Sequence, residues 1–376
     1  MQYRELGKTG VKISALGFGA MRLPQKNIGG KDVWDVEESI KIMHRAFELG
    51  VNYIDTAPYY CDGESEIIVG KALKSWKGKD KVYLSTKNPI ENDSGVNYRR
   101  RLNKSLKQLD VDYIDFYHMW GIGWKDYEEK INVKNGPLEA ALKAKEEGLI
   151  KHLSFSFHDT PENMIKLIDT GHFETVLCQY NILDRKNEEA IEYAKSKGLG
   201  VVIMGPVGGG RLGTPSEVIQ NLLPGESISS PELALRFVIS NPNVTCALSG
   251  MGTLDMVEEN AKVASNTSQL TPKEVTSINA AMEENRRLAE LYCTGCNYCL
   301  PCPQDVNIPL NFQIMNYYRV YGITDYAKEE YKKIGKVDHY KGKDASACIE
   351  CGICESKCPQ KIDIIEQLKE TAEALG

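Results

Sequence analysis

The chain has 376 residues, room for two domains of ordinary size or one large one. Its 46 Lys and Arg against 52 Asp and Glu leave a formal net charge of −6, which offers no basic footprint for nucleic acid. No apolar run approaches a membrane span and the first residues lack the apolar stretch of a signal peptide, so the expected location is the cytoplasm, with neither nucleic acid nor membrane as a partner.

In chain order, a hairpin is expected from Tyr3 to Ile13, followed by a strand at Ala15 to Gly19. Helices and strands then alternate. Helices are predicted at Glu37 to Leu49, Ser65 to Leu73, Tyr98 to Leu109, Pro137 to Glu147, Pro161 to Ile168, Asn187 to Ser196, Pro231 to Ile239 and Leu254 to Val263. Strands are predicted at Tyr53 to Thr56, Val82 to Thr86, Tyr113 to Tyr117, His152 to Phe155, Thr175 to Cys178, Val201 to Met204 and Val244 to Leu248. Gly50, Gly148, Gly171 and Gly198 stand where helices should stop. Such alternation implies a parallel sheet with helical crossovers. Eight units match a closed (β/α)8 TIM barrel of the usual size, roughly 250 residues, over residues 1–270. The alternative is an open doubly wound sheet; no G-x-G-x-x-G follows the first strand, which counts against it.

After Thr271-Pro272 the strand pattern stops. Lys273 to Leu291 reads as an amphipathic helix, with further helices at Asn311 to Val320 and Tyr326 to Ile334. Residues 271–376 therefore form a second, small α-helical domain, and it holds most of the cysteine. Of 11 cysteines, Cys61, Cys178 and Cys246 are scattered, and the last two read as small buried hydrophobes. The rest fall into two runs, Cys293, Cys296, Cys299, Cys302-Pro303 and Cys348, Cys351, Cys354, Cys358-Pro359. The second run has the C-x2-C-x2-C-x3-C-P spacing of bacterial ferredoxins, and the first is one residue shorter. In two-cluster ferredoxins the fourth Cys of each run ligates the other cluster. That predicts one [4Fe–4S] cluster on Cys293, Cys296, Cys299 and Cys358, and a second on Cys348, Cys351, Cys354 and Cys302. Structural zinc, with two ligands from each of two loops, is the alternative.

In a TIM barrel the chemistry sits at the C-terminal ends of the strands. There the pattern places Asp55, Tyr60, Lys87 and His118, from three consecutive strands. A free Tyr has a pKa of about 10, too high for acid–base work near neutrality, and a neighbouring Lys⁺ lowers it. Asp55 would balance that Lys, and a neutral His can donate to a carbonyl oxygen. Each residue alone has a bland reading; four converging polar groups read as a site.

These residues resemble the aldo-keto reductase family over nearly all of the first 270 positions. The likeness rests on Tyr3-Arg4-Glu5-Leu6-Gly7-Lys8-Thr9-Gly10, on Leu16-Gly17-Phe18-Gly19, on Asp55-Thr56-Ala57 with Tyr60, and on Lys87 and His118. The resemblance implies Tyr60 as general acid, Lys87 and Asp55 as its tuners, His118 as carbonyl orienter, and NADPH or NADH as hydride donor. It further implies cofactor contacts from Gly19, Ala20 and Met21, from Ser156 and Gln179 at the carboxamide, and from Gly205, Pro206, Val207, Gly208, Gly210 and Arg211 over the pyrophosphate. Glu259 and Asn260 would lie near the adenine. Departures are Met204 where many members stack an aromatic on the nicotinamide, and Phe157 in place of a common Asn. Gly250 and Met256 stand where NADPH-specific members often carry Lys and Arg for the 2′-phosphate, which normally wants such cations. Trp120 and Trp124 are either a substrate wall or loop packing. The tail resembles helical two-cluster ferredoxin modules appended to some reductases, including its Val306 to Pro309 stretch.

The expected function is an oxidoreductase acting on a small carbonyl or alcohol, with a ferredoxin-type electron partner. Two alternatives stay open: a ferredoxin-fed reductase without nicotinamide, and an electron relay or redox sensor with a vestigial barrel. Hydride carries two electrons and clusters pass one at a time, and no flavin motif is recognisable to split the pair.

Overall fold

The computed structural model describes residues 1–376 except 93, 214–215, 224–227, 267–269, 291–292, 294 and 359, and leaves aside the side chains of 211 and 286–290. The chain divides into two compact units, residues 1–206 with 234–269, and residues 207–233 with 270–376.

The first unit is a closed barrel of eight parallel strands. In chain order these are β1 (Leu16–Gly19), β2 (Tyr53–Asp55), β3 (Tyr83–Pro89), β4 (Ile114–Trp120), β5 (Ile150–Phe157), β6 (Thr175–Gln179), β7 (Gly200–Met204) and β8 (Cys246–Ser249), each paired with its sequence neighbour and β8 with β1. The open doubly wound alternative is therefore excluded. Helices return the chain between strands, as a parallel sheet requires. The first, Val36–Glu48, is capped by the Asp35 carboxylate on Glu38 N–H and buries Ile42, Met43, Ala46 and Phe47. The helix Glu188–Lys197 stops at Gly198, whose φ of +87° is the left-handed cap that glycine takes without strain.

Several strands run beyond the apolar pattern. β3 continues through Lys87, Asn88 and Pro89, and β4 through His118 to Trp120, with Lys87 paired to His118 and Asn88 to Met119. Backbone pairing persists where the sequence turns polar because barrel-facing groups find partners inside. Along β3 the faces alternate: Ser85 bonds Asp55 of β2, whereas Thr86 and Asn88 bond Glu66 and the Tyr98 carbonyl on the outer helices.

The expected N-terminal hairpin is present, Tyr3–Glu5 against Lys12–Ser14. Its Leu6 and Ile13 are fully buried in a cluster with Tyr53, Phe116, Leu177, Val202 and Cys246 from the barrel strands. Burying each is worth about 1.5–3 kcal/mol. The turn at Gly7 (φ +58°) lies so close to the start of β7 that an added Cβ would meet Gly200 N at 2.3 Å. Cys178 and Cys246 are buried as expected, and burial pushes the Cys178 thiol up to about 12. A second hairpin, Gln25–Ile28 with Lys31–Trp34, follows β1 and was not expected from the sequence.

The second unit is helical: Pro272–Glu290, Ile308–Arg319, Thr324–Tyr331, Ile353–Lys357 and Ile364–Leu375. Its core joins Val306, Ile308, Phe312, Met315, Ala327, Tyr331, Ile364 and Leu368 with Cys299 and Cys354. Asn307 caps Ile308–Arg319 by accepting from Leu310 N–H. Residues 207–233, a stretch of chain between β7 and β8, group with this unit, and Ser216 Oγ donates to the Tyr321 carbonyl at 2.7 Å. Among the described residues, no helix is long and apolar enough to cross a membrane.

Candidate functional site

The ends of β2, β3 and β4 bring together three of the four expected residues, and the turn after β2 supplies the fourth. Lys87, 2 % exposed, donates to Asp55 Oδ2 and, at 2.8 Å, to the Thr56 carbonyl. Its Nζ lies 4.7 Å from the centre of the Tyr60 ring. His118 is fully buried, with Nε2 3.0 Å from Ser85 Oγ, and Ser85 Oγ donates to Asp55 Oδ1 at 2.8 Å. Tyr60 stands on a tight turn, Tyr60–Gly63, in which Cys61 and Asp62 both hold left-handed backbone (φ +53° and +54°). Non-glycine residues there cost about 1–3 kcal/mol each, a strain that surrounding contacts must hold. The buried Cys61 thiol contacts the Ala20 and Met21 carbonyls at 3.6 Å. Ser65 Oγ bonds Thr56 Oγ1 and the Ala20 carbonyl, both at 2.7 Å. The loop after β1 is thus fastened to the Tyr60 turn.

The electrostatics correct one expectation. Burial dominates at Tyr60 and raises its pKa above the free value, although Lys87 works in the opposite direction. Tyr60 is therefore a protonated phenol at neutral pH, suited to giving a proton. Burial opposes the Lys87 ammonium, yet Asp55 and Tyr60 together more than offset it, and its pKa lies above the ordinary lysine value. Burial depresses His118 to about 4, with Asp55 opposing, so its imidazole is neutral at pH 7. Trp120 meets the Tyr60 ring edge-on at 5.7 Å and the Tyr59 ring at 5.5 Å, so it walls the site. Trp124 instead stacks on Tyr127 at 5.4 Å and packs the loop.

In the helical unit, Cys293, Cys296, Cys299 and Cys358 line one cavity with Ile308 and Phe312. Cys302, Cys348, Cys351 and Cys354 line another with Val306 and Leu368, and Cys299 borders both. The last Cys of each run thus sits with the first three of the other. Gly295 N–H points to Cys293 Sγ and Glu350 N–H to Cys348 Sγ, both at 3.4 Å, the same i+2 contact in each run. Cys296 and Cys351 are the exposed members. A thiol donor set on tight loops with N–H groups aimed at sulfur suits an iron–sulfur cubane. Pro359 lies outside the described residues.

Residues 15–283 match the Aldo/keto reductase family. The chain belongs to that family. Residues 292–362 match the 4Fe-4S dicluster domain. Among relatives, L-galactose dehydrogenase of Arabidopsis thaliana is 27% identical over 316 residues, covering 77% of this chain and 96% of its own. The aldo-keto reductase YhdN of Bacillus subtilis is 30% identical over 218 residues, 54% of this chain and 62% of its own. Among solved structures, aldo-keto reductase AKR11C1 from Bacillus halodurans in its holo form superposes with a TM-score of 0.64 at 29% identity, over 75% of this chain and 96% of its own. This aldo-keto reductase is an oxidoreductase with an appended 4Fe-4S domain.

The implied nicotinamide positions of this aldo-keto reductase divide. Ser156 is buried, its Oγ accepting from Gly121 N–H at 2.8 Å. Gln179 and Met204 are half-buried at adjoining strand ends. Gly205 (φ +63°) presses on Gln179, and an added Cβ would sit 2.7 Å from its amide, so the backbone there needs glycine. Pro206 is buried, and Gly208–Gly213 forms a turn with φ of +69° and +103° at Gly209 and Gly210 and with Gly210 and Leu212 N–H on the Val207 carbonyl. The Arg211 side chain lies outside the described residues. Gly19 is half-buried and Met21 exposed. Ala20 is buried, its N–H on the Asp55 carbonyl and its own carbonyl taken by Ser65, which makes it scaffold. Asn260 donates to Ser249 Oγ at 3.0 Å, and Glu259 is exposed. Gly250 and Met256 are exposed and bring no charge.

Sequence reasoning missed Ser85 and Glu66. Glu66 is a buried carboxyl accepting from Thr86 Oγ1 at 2.7 Å, its pKa raised by burial. Ser85 lies two positions before Lys87 and Glu66 six after Tyr60, in polar runs too short to carry a motif of their own.

Proposed function

We propose that the protein is a cytoplasmic carbonyl reductase, or the corresponding alcohol dehydrogenase, whose barrel half over residues 1–270 works with NADPH or NADH. Residues 271–376 would carry two [4Fe–4S] clusters, one on Cys293, Cys296, Cys299 and Cys358 and one on Cys348, Cys351, Cys354 and Cys302. When bound, the nicotinamide supplies hydride and the clusters supply single electrons. The chain's own residues do the rest. Tyr60 gives its phenolic proton to the carbonyl oxygen as charge develops there. Lys87, paired to Asp55, stabilises the phenolate that remains. Neutral His118 orients the carbonyl, and Trp120 excludes water beside Tyr60. A ferredoxin-type partner would exchange electrons with the clusters.

The observation that carries this reading is the buried Lys87, held between Asp55 and the ring of Tyr60. The name of the plant relative, a sugar dehydrogenase, supports chemistry at a carbinol or carbonyl carbon. Anoxic assay of NADPH and NADH oxidation against a carbonyl panel tests it: wild type turns over and Tyr60→Phe does not. A second reading, a ferredoxin-fed reductase without nicotinamide, is favoured by the uncharged, exposed Gly250 and Met256. Micromolar nicotinamide binding in an anoxic titration would exclude it.

A further inference from the structure

Ser85 lies two residues before Lys87 on β3 and is fully buried. A hydroxyl has one proton to give and two lone pairs to accept with. The Asp55 carboxylate next to it, paired to Lys87, only accepts, so the Ser85 proton goes to Asp55 Oδ1 at 2.8 Å. Toward His118 Nε2, at 3.0 Å, Ser85 Oγ must then act as acceptor. A neutral imidazole carries one N–H, and this contact requires it on Nε2. The other nitrogen, Nδ1, has no hydrogen-bond partner among the described residues. The Tyr53 hydroxyl, also buried, lies alongside Ser85.

We propose that Ser85 is a positioning residue of the active site: it bridges Asp55 to His118 and fixes His118 as the Nε2–H tautomer, with its ring turned toward the Asp55–Lys87 pair. This rests on the carbonyl-reductase reading for its catalytic consequence, but not for the hydrogen-bond chain itself. With the proton on Nδ1 instead, Nε2 and Ser85 Oγ would face each other as two acceptors, and the bridge from Asp55 to His118 would break. An alanine at 85 removes His118's acceptor and one of the donors on Asp55 together.

The test uses the full-length protein with its clusters, prepared anoxically and labelled with ¹⁵N-histidine. Ring-nitrogen NMR shifts report the tautomer of each of the six histidines, and His118→Asn assigns the signal of interest. Wild type should show His118 as Nε2–H, while Ser85→Ala should show a mixture or a shift to Nδ1–H. In turnover, Ser85→Ala should lower kcat about tenfold or more with KM changed far less. Ser85→Thr, which keeps the hydroxyl, should restore both signals. Ser85→Cys, which keeps the volume, should behave like alanine and serves if the alanine variant does not fold. An unchanged His118 tautomer in both hydroxyl-free variants overturns the proposal, and so does a changed tautomer with unchanged kcat. Because the tautomer signal needs no turnover, a wrong assignment of Ser85 and a wrong reading of the reaction give different results.

Discussion

Replacing Lys87 by Met tests the electrostatics of the site through stability alone. The substitution keeps the buried stem and removes the ammonium. Asp55 is then left without its countercharge at 5 % side-chain exposure, with the Ser85 hydroxyl as its remaining side-chain donor. A buried charge stripped of its partner typically costs about 3–5 kcal/mol. Removing both charges in Asp55→Asn/Lys87→Met leaves no buried charge unpaired, only the Thr56 carbonyl without its Lys87 donor, and the expected loss falls to about 1–2 kcal/mol. The double mutant should therefore be more stable than the lysine single mutant, with a coupling energy of at least about 2 kcal/mol. The four tryptophans, Trp34, Trp76, Trp120 and Trp124, all lie in the barrel unit, so urea titration followed by their fluorescence reads this unit. Additive single mutants, or a Lys87→Met loss below about 1 kcal/mol, would refute a buried, mutually dependent pair.

Tyr60→Phe should lower kcat by about a hundredfold or more while leaving nucleotide affinity near wild type, as measured by turnover and fluorescence titration. His118 makes stability acid-sensitive. Its folded pKa of about 4 lies below the ordinary 6.5, so below pH 6.5 the unfolded chain takes up a proton that the fold refuses. Its contribution is complete above pH 6.5 and is lost as pH falls toward 4, at up to about 1.4 kcal/mol per pH unit. His118→Gln should flatten that part of the urea stability profile relative to wild type, and parallel profiles would contradict it. In the tail, Cys358→Ala should perturb the cluster of the first cysteine run and Cys302→Ala that of the second, each seen by iron content and EPR. Loss of the signal belonging to the variant's own run would overturn the exchange.

The barrel was legible because strand and helix periods alternate cleanly, and because the glycines at 50, 148, 171 and 198 end helices. The limits of β3 and β4 were not, since Lys87, Asn88 and His118 interrupt the apolar pattern while their backbones keep pairing. The hairpin of Gln25–Ile28 and Lys31–Trp34 escaped for a related reason. It is solvent-exposed on both faces, so Lys26, Asn27, Lys31 and Asp32 give no period-two signal, and its Gly29-Gly30 turn alone marked it. Helix Ile364–Leu375 buries Ile364, Leu368, Thr371 and Leu375, a helical stripe present in the sequence but overshadowed by the adjacent cysteines. The grouping of cysteines across the two runs followed from spacing. Ser85 did not: its role depends on Asp55 and His118, residues 30 and 33 positions away, meeting across neighbouring strands. The downward pull expected from Lys87 on Tyr60 was real in sign but smaller than burial, a quantity that sequence does not contain.

The central claim is hydride transfer at the carbonyl beside Tyr60, and the origin of the new hydrogen on carbon tests it most directly. Nicotinamide carrying deuterium at its transferable ring position is supplied anoxically in ordinary water with a carbonyl substrate, and the alcohol is analysed by mass spectrometry. Deuterium on the former carbonyl carbon, with no product from Tyr60→Phe, is the predicted result. Product bearing solvent hydrogen at that carbon would mean that electrons arrive singly from the clusters and would contradict the account.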